Sequence, residues 1–409
     1  MCIINTNLEK IYLKKYPSNS EPQKKGKICF VTAVPMTIEA FLVDYIRALE
    51  RYYDVTVITD ATNPSFLTVY GLKTQIIKIP IKRNISFLKD IYALFKLLVV
   101  FTVNRFISVH SITPKAGLLA MIASYVARIP IRIHTFTGQV WATKKGISRW
   151  FLKNMDKCIV LCATHILTDS KSQREFIIEQ GVVNPEKVKL IGYGSISGVD
   201  MKRFFADPIA RTNIRNELGI GEDDFVFLFL GRLNREKGIF DLIEAFKKLA
   251  EVYKNVHLLI VGPDEENTIG NITEKASTYM TRIHYTGFTR SPERYMSSSD
   301  CICLPSYREG FGLVIIEAAA CSVPAIGSRI YGIIDAIEDK VTGLLHEPGN
   351  VDQIFLHMQW MILHREERSL MGELARKRVQ ELFSKEQMVE SFLSFYKSIA
   401  NYQKVEDNA

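Results

Sequence analysis

The sequence predicts an α/β protein of two doubly wound, Rossmann-like domains facing across a cleft. Short β-branched and apolar runs alternate with amphipathic helical patterns along nearly all of its 409 residues. That alternation is the signature of parallel sheets with helices on both faces. The series also starts twice, at 27–34 (KICFVTAV) and again at 223–233 (DDFVFLFLGRL), with a Gly- and Pro-punctuated connection near 195–222 between them.

The first strand leads into TIEAFLVDYIRALERYY, where Phe41, Leu42, Tyr45, Ile46 and Leu49 share a helical face, and then into strand 54–60; together they form a βαβ unit. A helix near 86–103, a strand at 106–110, a helix at 115–127, strands near 131–135 and 158–161, a helix at 171–180 and a strand at 187–192 complete the first half. In the second half strands are expected at 223–233, 256–262, 282–288, 301–305, 324–328 and 342–348, with helices at 239–252, 292–298 and 312–320. The organisation expected is a polar extension at 1–26, an N-terminal domain at 27–200, a C-terminal domain at 201–380 and a helical segment at 381–409 returning to the N-terminal domain.

Composition narrows the classes. Hydrophobic content of 47% and charged content of 23% are those of an ordinary globular protein. The net charge of +8 suits an acidic ligand or an anionic surface without identifying one. It is modest, and no recognition motif accompanies it, so nucleic acid is not an expected partner. The seven cysteines form no Cys-x-x-Cys pair and complete no zinc pattern; buried thiols are expected, and no metal. The N-terminus lacks the apolar segment of a signal peptide, and the longest apolar run, 91–103, is too short to span a bilayer.

Chemistry concentrates after strands, where doubly wound sheets bind ligands. In LFLGRLNREKG, Gly231-Arg232 ends a strand and Lys237-Gly238 opens a helix, so two cations flank amides that already favour an anion. A solvated basic turn would look similar. There is no G-x-x-x-x-G-K-[ST] and no strand-linked G-x-G-x-x-G, which removes most support for P-loop and dehydrogenase readings. LPSYREGFGLVIIEAAA repeats the construction: Glu309 lies at a loop mouth and Gly310, Phe311, Gly312 and Leu313 offer amides. Glu317 sits in an otherwise apolar helix, where an ionised carboxylate is unfavourable without a partner. A ribose diol would be one such partner; a paired core glutamate is the alternative.

Glu309 and Glu317, with seven residues between them including Gly-Phe-Gly, together with GRLNREKG, resemble retaining glycosyltransferase family 4 of the GT-B fold. The likeness spans 27 to about 385. VTAVPMTIEAFLVDYIRALE, HTFTGQVW, GSISGVDMKRF, LLIVGP and TGLLHEP further resemble bacterial members that extend lipid-linked surface-glycan precursors. The resemblance implies that Arg232 and Lys237 neutralise a donor diphosphate, that Glu309 holds donor-sugar hydroxyls, and that the amides of 310–313 meet sugar and phosphate. It implies Glu317 on the ribose, Phe288 at the base, His134 near the reacting sugar, and Pro35 and Met36 close to the phosphates. The expected donor is a nucleotide-sugar, UDP-linked by family habit, used without metal or other cofactor. The expected acceptor is a polyprenyl-diphosphate-linked sugar.

WATKKGISRWFLKNMDK places Ile147, Trp150, Phe151 and Met155 on one helical face, with Lys144, Lys145, Arg149 and Lys153 nearby. A basic amphipathic helix with Trp suits an anionic bilayer, and an ordinary helix packed on the sheet gives the same pattern. The resulting expectation is a cytoplasmic enzyme, peripheral on the inner face of the membrane. A sugar-nucleotide epimerase of the same fold and a catalytically silent nucleotide-sugar-binding partner of a glycan assembly complex are the alternatives.

Overall fold

The computed structural model describes residues 24–82 and 86–406, with side chains to 399. The polar extension expected at 1–26 therefore lies almost wholly outside the described residues. Among the described residues thirteen strands form two sheets, in which every pair of neighbours runs parallel.

The N-terminal sheet has the order β3-β2-β1-β4-β5-β6-β7. Its strands are β1 (Lys27–Val31), β2 (Asp54–Thr59), β3 (Gln75–Lys78), β4 (Ser108–Ile112), β5 (Ile131–Phe136), β6 (His165–Thr168) and β7 (Val188–Leu190). The C-terminal sheet has the order β10-β9-β8-β11-β12-β13. It comprises β8 (Phe225–Leu230), β9 (Val256–Val261), β10 (Ile283–Gly287), β11 (Cys301–Leu304), β12 (Ala325–Ser328) and β13 (Gly343–His346). Each order reverses once, between β1 and β4 and between β8 and β11. Those switch points open crevices at the carboxyl ends of the strands.

Apolar side chains pack on both faces of each sheet. One N-terminal face is covered by helices Phe87–Asn104, Pro114–Val126 and Gly146–Cys162. The other is covered by Pro35–Phe41 and Val43–Leu49 together with the last helix, Lys385–Glu406, whose Met388, Phe392, Tyr396 and Ile399 enter this core. Phe392 stacks on Tyr45 with centroids 4.0 Å apart. In the C-terminal sheet, helix Ile239–Val252 lies on one face and Leu313–Ala320 on the other. The chain's end thus straps the two halves together.

Three local expectations need correction. Residues 158–161 are not a strand: they finish helix Gly146–Cys162, with Ile159 and Val160 buried, and the strand of this region is β6. β3 was not expected at all. The connection at 195–222 contains a helix, Pro208–Leu218, whose Asp207 carboxylate accepts from the amides of Ile209 at 2.9 Å and Ala210 at 3.0 Å. No helix among the described residues is long and apolar enough to cross a membrane.

Candidate active site

The adjacency of β8 and β11 assembles the site. Arg232 and Lys237 follow β8, and Glu309 follows β11, so hydrogen bonding between neighbouring strands brings together motifs 72 residues apart. The loops fit closely. Gly238, at φ +69, leaves no room for a side chain, since a Cβ there would fall 1.9 Å from the Pro305 carbonyl oxygen. Tyr307 donates its amide to the Glu236 carbonyl at 2.8 Å, and the Arg308 guanidinium donates to the Glu236 carboxylate at 2.6 Å. Lys237 Nζ donates to Glu309 Oε1 at 2.5 Å, and Ser306 Oγ donates to the same oxygen at 2.9 Å. Both members of this pair are largely shielded from water.

Arg232 stands on the same loop but does not reach the pair. Its guanidinium, with the Asn234 amide, donates to Glu265, at 2.9 Å and 3.2 Å. Gly310 and Phe311 are followed by Gly312, at φ +88, which caps the helix carrying Leu313 and Glu317. The Glu317 carboxylate makes no hydrogen bond or ion pair among the described residues. Desolvation lifts it to about 8, with Arg203 opposing and Glu293 reinforcing the shift. It is therefore mostly protonated at neutral pH, able both to donate to a hydroxyl and to accept from one.

This position carries a stability signature. The unfolded carboxyl ionises near the ordinary value of 4.5 and the folded one near 8, so folding loses stability as pH rises through that window. Glu317→Gln removes the ionisable group and keeps the side chain's size and its capacity to donate and accept hydrogen bonds. Its melting temperature is expected to exceed the parent's by a few degrees at pH 8 and to match it at pH 4.5, read by scanning calorimetry. An equal offset at both pH values would mean that the carboxyl is not the cause.

The N-terminal sheet presents its carboxyl edge to this loop. Gly138 and Gly310 pack face to face: a Cβ on Gly138 would lie 3.2 Å from the Gly310 nitrogen. A Cβ on Gly310 would lie 2.8 Å from the Thr137 carbonyl and 2.7 Å from a carboxylate oxygen of Asp169. Further seam contacts are the Gln139 amide donating to the Tyr331 hydroxyl at 3.2 Å and Gly332 donating to Ser172 Oγ at 2.8 Å. The Phe176 ring stacks on Tyr331 at 4.6 Å.

His134 is not in this seam. It is 0% exposed, its Nδ1 shares a 2.9 Å hydrogen bond with Ser111 Oγ, and its ring presses on Gly117. Burial holds its imidazole down at about 3. The residue of the HTFTG run that reaches the opposing domain is Thr137. Pro35 and Met36 lie at the carboxyl end of β1, Met36 exposed, and Phe288 follows β10 with an exposed ring. Among the surface residues, Lys144, Lys145 and Trp150 point outward. Arg149 instead donates to the carbonyls of Trp141 and Ala142 and to Gln180, and Lys153 lies over the Trp141 ring.

Residues 137–139, Asp169, Tyr331 and Arg308 were not singled out in the sequence. Asp169 had one usable signal, a carboxylate directly after a buried strand.

Two facing parallel sheets with a cationic, glycine-walled site between them define a GT-B transferase architecture. Residues 37–194 match the family model described as glycosyl transferase 4-like domain, and residues 210–378 match that of glycosyl transferases group 1. The chain belongs to the family 4 glycosyltransferases. It is 33% identical over 319 residues to the capsular polysaccharide biosynthesis glycosyltransferase CapM of Staphylococcus aureus, covering 78% of this chain and 83% of that one. It is 26% identical over 319 residues to the UDP-Gal:α-D-GlcNAc-diphosphoundecaprenol α-1,3-galactosyltransferase of Escherichia coli, covering 77% and 81%. Anabaena HepE, solved with UDP and glucose, shares the fold with a TM-score of 0.76 at 20% identity over 91% of this chain and 99% of that one.

Proposed function

We propose that the chain transfers a hexosyl or N-acetylhexosaminyl unit from a UDP-sugar, with retention and without metal, to a hydroxyl of a polyprenyl-diphosphate-linked sugar in surface-glycan synthesis. The observation that carries this is the Lys237–Glu309 pair at the β8/β11 switch point: a cation for the diphosphate bonded to a carboxylate for the sugar. The E. coli relative's printed donor and acceptor supply the choice of UDP and of lipid diphosphate.

The acceptor oxygen bonds to the anomeric carbon as the bond from that carbon to the diphosphate oxygen breaks. The bonding pair leaves with the nucleoside diphosphate, whose charge Arg232 and Lys237 stabilise, as preorganised cations do for developing negative charge. The hydroxyl proton passes to the departing diphosphate oxygen on the same face. The cations occupy the role a metal would otherwise fill.

Peripheral attachment to the cytoplasmic face of an anionic membrane rests on an exposed apolar face. Helix Phe87–Asn104 turns Phe87, Leu88, Phe95 and Val103 to solvent, Leu88 being 81% exposed. Helix Pro114–Val126 packs against it and against Gly146–Cys162, where Ile147 is 84% and Trp150 67% exposed. Apolar rings beside Lys89, Lys96, Lys145 and Lys157 match the boundary between acyl chains and acidic headgroups.

The test is nucleotide release by the purified chain from UDP-, GDP- and ADP-sugars, with and without a bacterial lipid-linked sugar extract, and co-sedimentation with phosphatidylglycerol vesicles. Release from a UDP-sugar that requires the extract is expected, with sedimentation lost in Leu88→Asp/Phe95→Asp. Donor binding without turnover would favour the silent partner, and a free epimeric nucleotide-sugar the epimerase. Vesicle binding unchanged by the double substitution would remove the membrane face.

A further inference from the structure

A recess opens beside the Lys237–Glu309 pair, and the transfer step above makes no use of it. It is an open recess of about 400 Å³, lined by Thr143 and Lys144 from the N-terminal domain and by Arg235, Glu236, Phe240 and Tyr307, among others, from the C-terminal domain. That volume falls within the ~300–1,000 Å³ of small-molecule sites.

Its walls carry charge that the protein leaves available. Arg235, in the wall, lies over the Phe240 ring at 5.9 Å; Lys275, outside the wall, comes within 5.5 Å of the same ring. Neither cationic head makes an ion pair among the described residues. Lys144 is held only loosely, 3.7 Å from Glu236, whose carboxylate is already engaged by Arg308 at 2.6 Å. Tyr307, 38% exposed, is fixed by donating its hydroxyl to Asp241 at 2.6 Å. Two cations, Lys144 and Arg235, thus flank a rigid aromatic ring and two carboxylates, a set suited to an anion joined to a polyol.

Position decides what that ligand is. The recess touches Glu236 and Gly238, the residues on either side of Lys237, and shares the sheet face of helix Ile239–Val252. Glu317 lies on the helix of the opposite face. Lys237 and Glu309 lie on the loops after β8 and β11, at the carboxyl edge between those two faces, so a ligand in the recess would approach them from the face opposite Glu317. Thr143 Oγ donates to Glu236 at 3.2 Å across the seam, so the recess is complete only with both domains in place. Its rim leads directly into helix Gly146–Cys162 and the exposed Ile147 and Trp150.

We propose that this recess binds the acceptor's diphosphate-linked sugar, with the diphosphate on Lys144 and Arg235 and the sugar ring against Tyr307. The inference rests on the transferase reading and deepens it: the acceptor enters from the membrane side, and its diphosphate is read by residues distinct from those holding the donor's.

The probe is α-D-GlcNAc-diphosphoundecaprenol in neutral detergent micelles, which removes the bilayer from the measurement, with UDP titrated in parallel. Arg235→Glu and Thr143→Trp, the latter filling the recess at an exposed position, are each expected to weaken probe affinity at least about tenfold and to leave UDP affinity within about twofold. Undecaprenyl phosphate, lacking the sugar and one phosphate, is expected to bind more weakly than the probe. Probe affinity unchanged in both variants, or wild-type protein that binds UDP but not the probe, overturns the recess as the acceptor site. Wild-type protein that binds neither UDP nor any UDP-sugar overturns the transferase reading itself.

Discussion

Gly310→Ala is expected to reduce sugar transfer by about 10²-fold or more while leaving UDP affinity nearly unchanged. The methyl group added at Gly310 would press on the Thr137 carbonyl at 2.8 Å and on the buried Asp169 carboxylate at 2.7 Å. The first of these is backbone and cannot turn aside. On the far side the Gly310 carbonyl is itself covered, because Gly332 allows an approach in which a Cβ would lie 2.6 Å from that oxygen. The loop can therefore accommodate the methyl only by opening the seam between the domains. Displacements of about 1 Å at reacting groups are enough for ~10²-fold losses. The amide that would face the donor is retained in alanine, so nucleotide binding is the control. Titration calorimetry with UDP and the initial rate of nucleotide release separate the two. An unimpaired rate would mean that the seam as it stands is not the reacting conformation.

The fold was legible because parallel, doubly covered strands are apolar on both faces, and runs such as FVFLFL admit few other readings. The failures are as physical. Cys158–Leu161 is equally apolar, but its burial follows a helix, with Leu161 turned to solvent, and periodicity over four residues cannot separate the two. β3, QIIK, is a half-exposed edge strand with little apolar signal. Helix Pro208–Leu218 carries a start signal in the sequence, an aspartate cap followed by proline, set among glycines that read as a hinge.

At the site, what lay within one motif was legible and what depended on the opposing domain was not. Glu309 and Lys237 stand out by spacing along the chain, whereas their 2.5 Å contact depends on strand order. The histidine in HTFTG drew attention by its chemistry. β-strand alternation then decides its direction: His134 points into the core against Gly117, and Thr137, past the strand's end, reaches the Gly310 loop. The exposed face of helix Phe87–Asn104 was readable as a helix but not as a surface, since only packing shows which of two apolar stripes is covered.

Lys237→Met should lower the turnover rate by about 10²–10³-fold, the usual range for removing one preorganised group that stabilises developing charge. Methionine keeps most of the stem's volume, so the loop's close contact at Gly238 and Pro305 survives. The charge does not, and Glu309 is left with Ser306 as its remaining partner in a largely shielded position. Stability should fall as well, by less than the ~3–5 kcal/mol of a fully buried pair broken on one side. The two losses have different origins and a second substitution separates them. Lys237→Met/Glu309→Gln removes the uncompensated carboxylate, so its melting temperature should recover toward the parent's, while turnover stays low because no cation has been restored. Lys237→Arg should regain part of the turnover by returning charge with altered geometry. If instead the neutral double variant regains turnover, the pair is a latch between the β8 and β11 loops, and the charge that supports the leaving group must come from Arg232 alone.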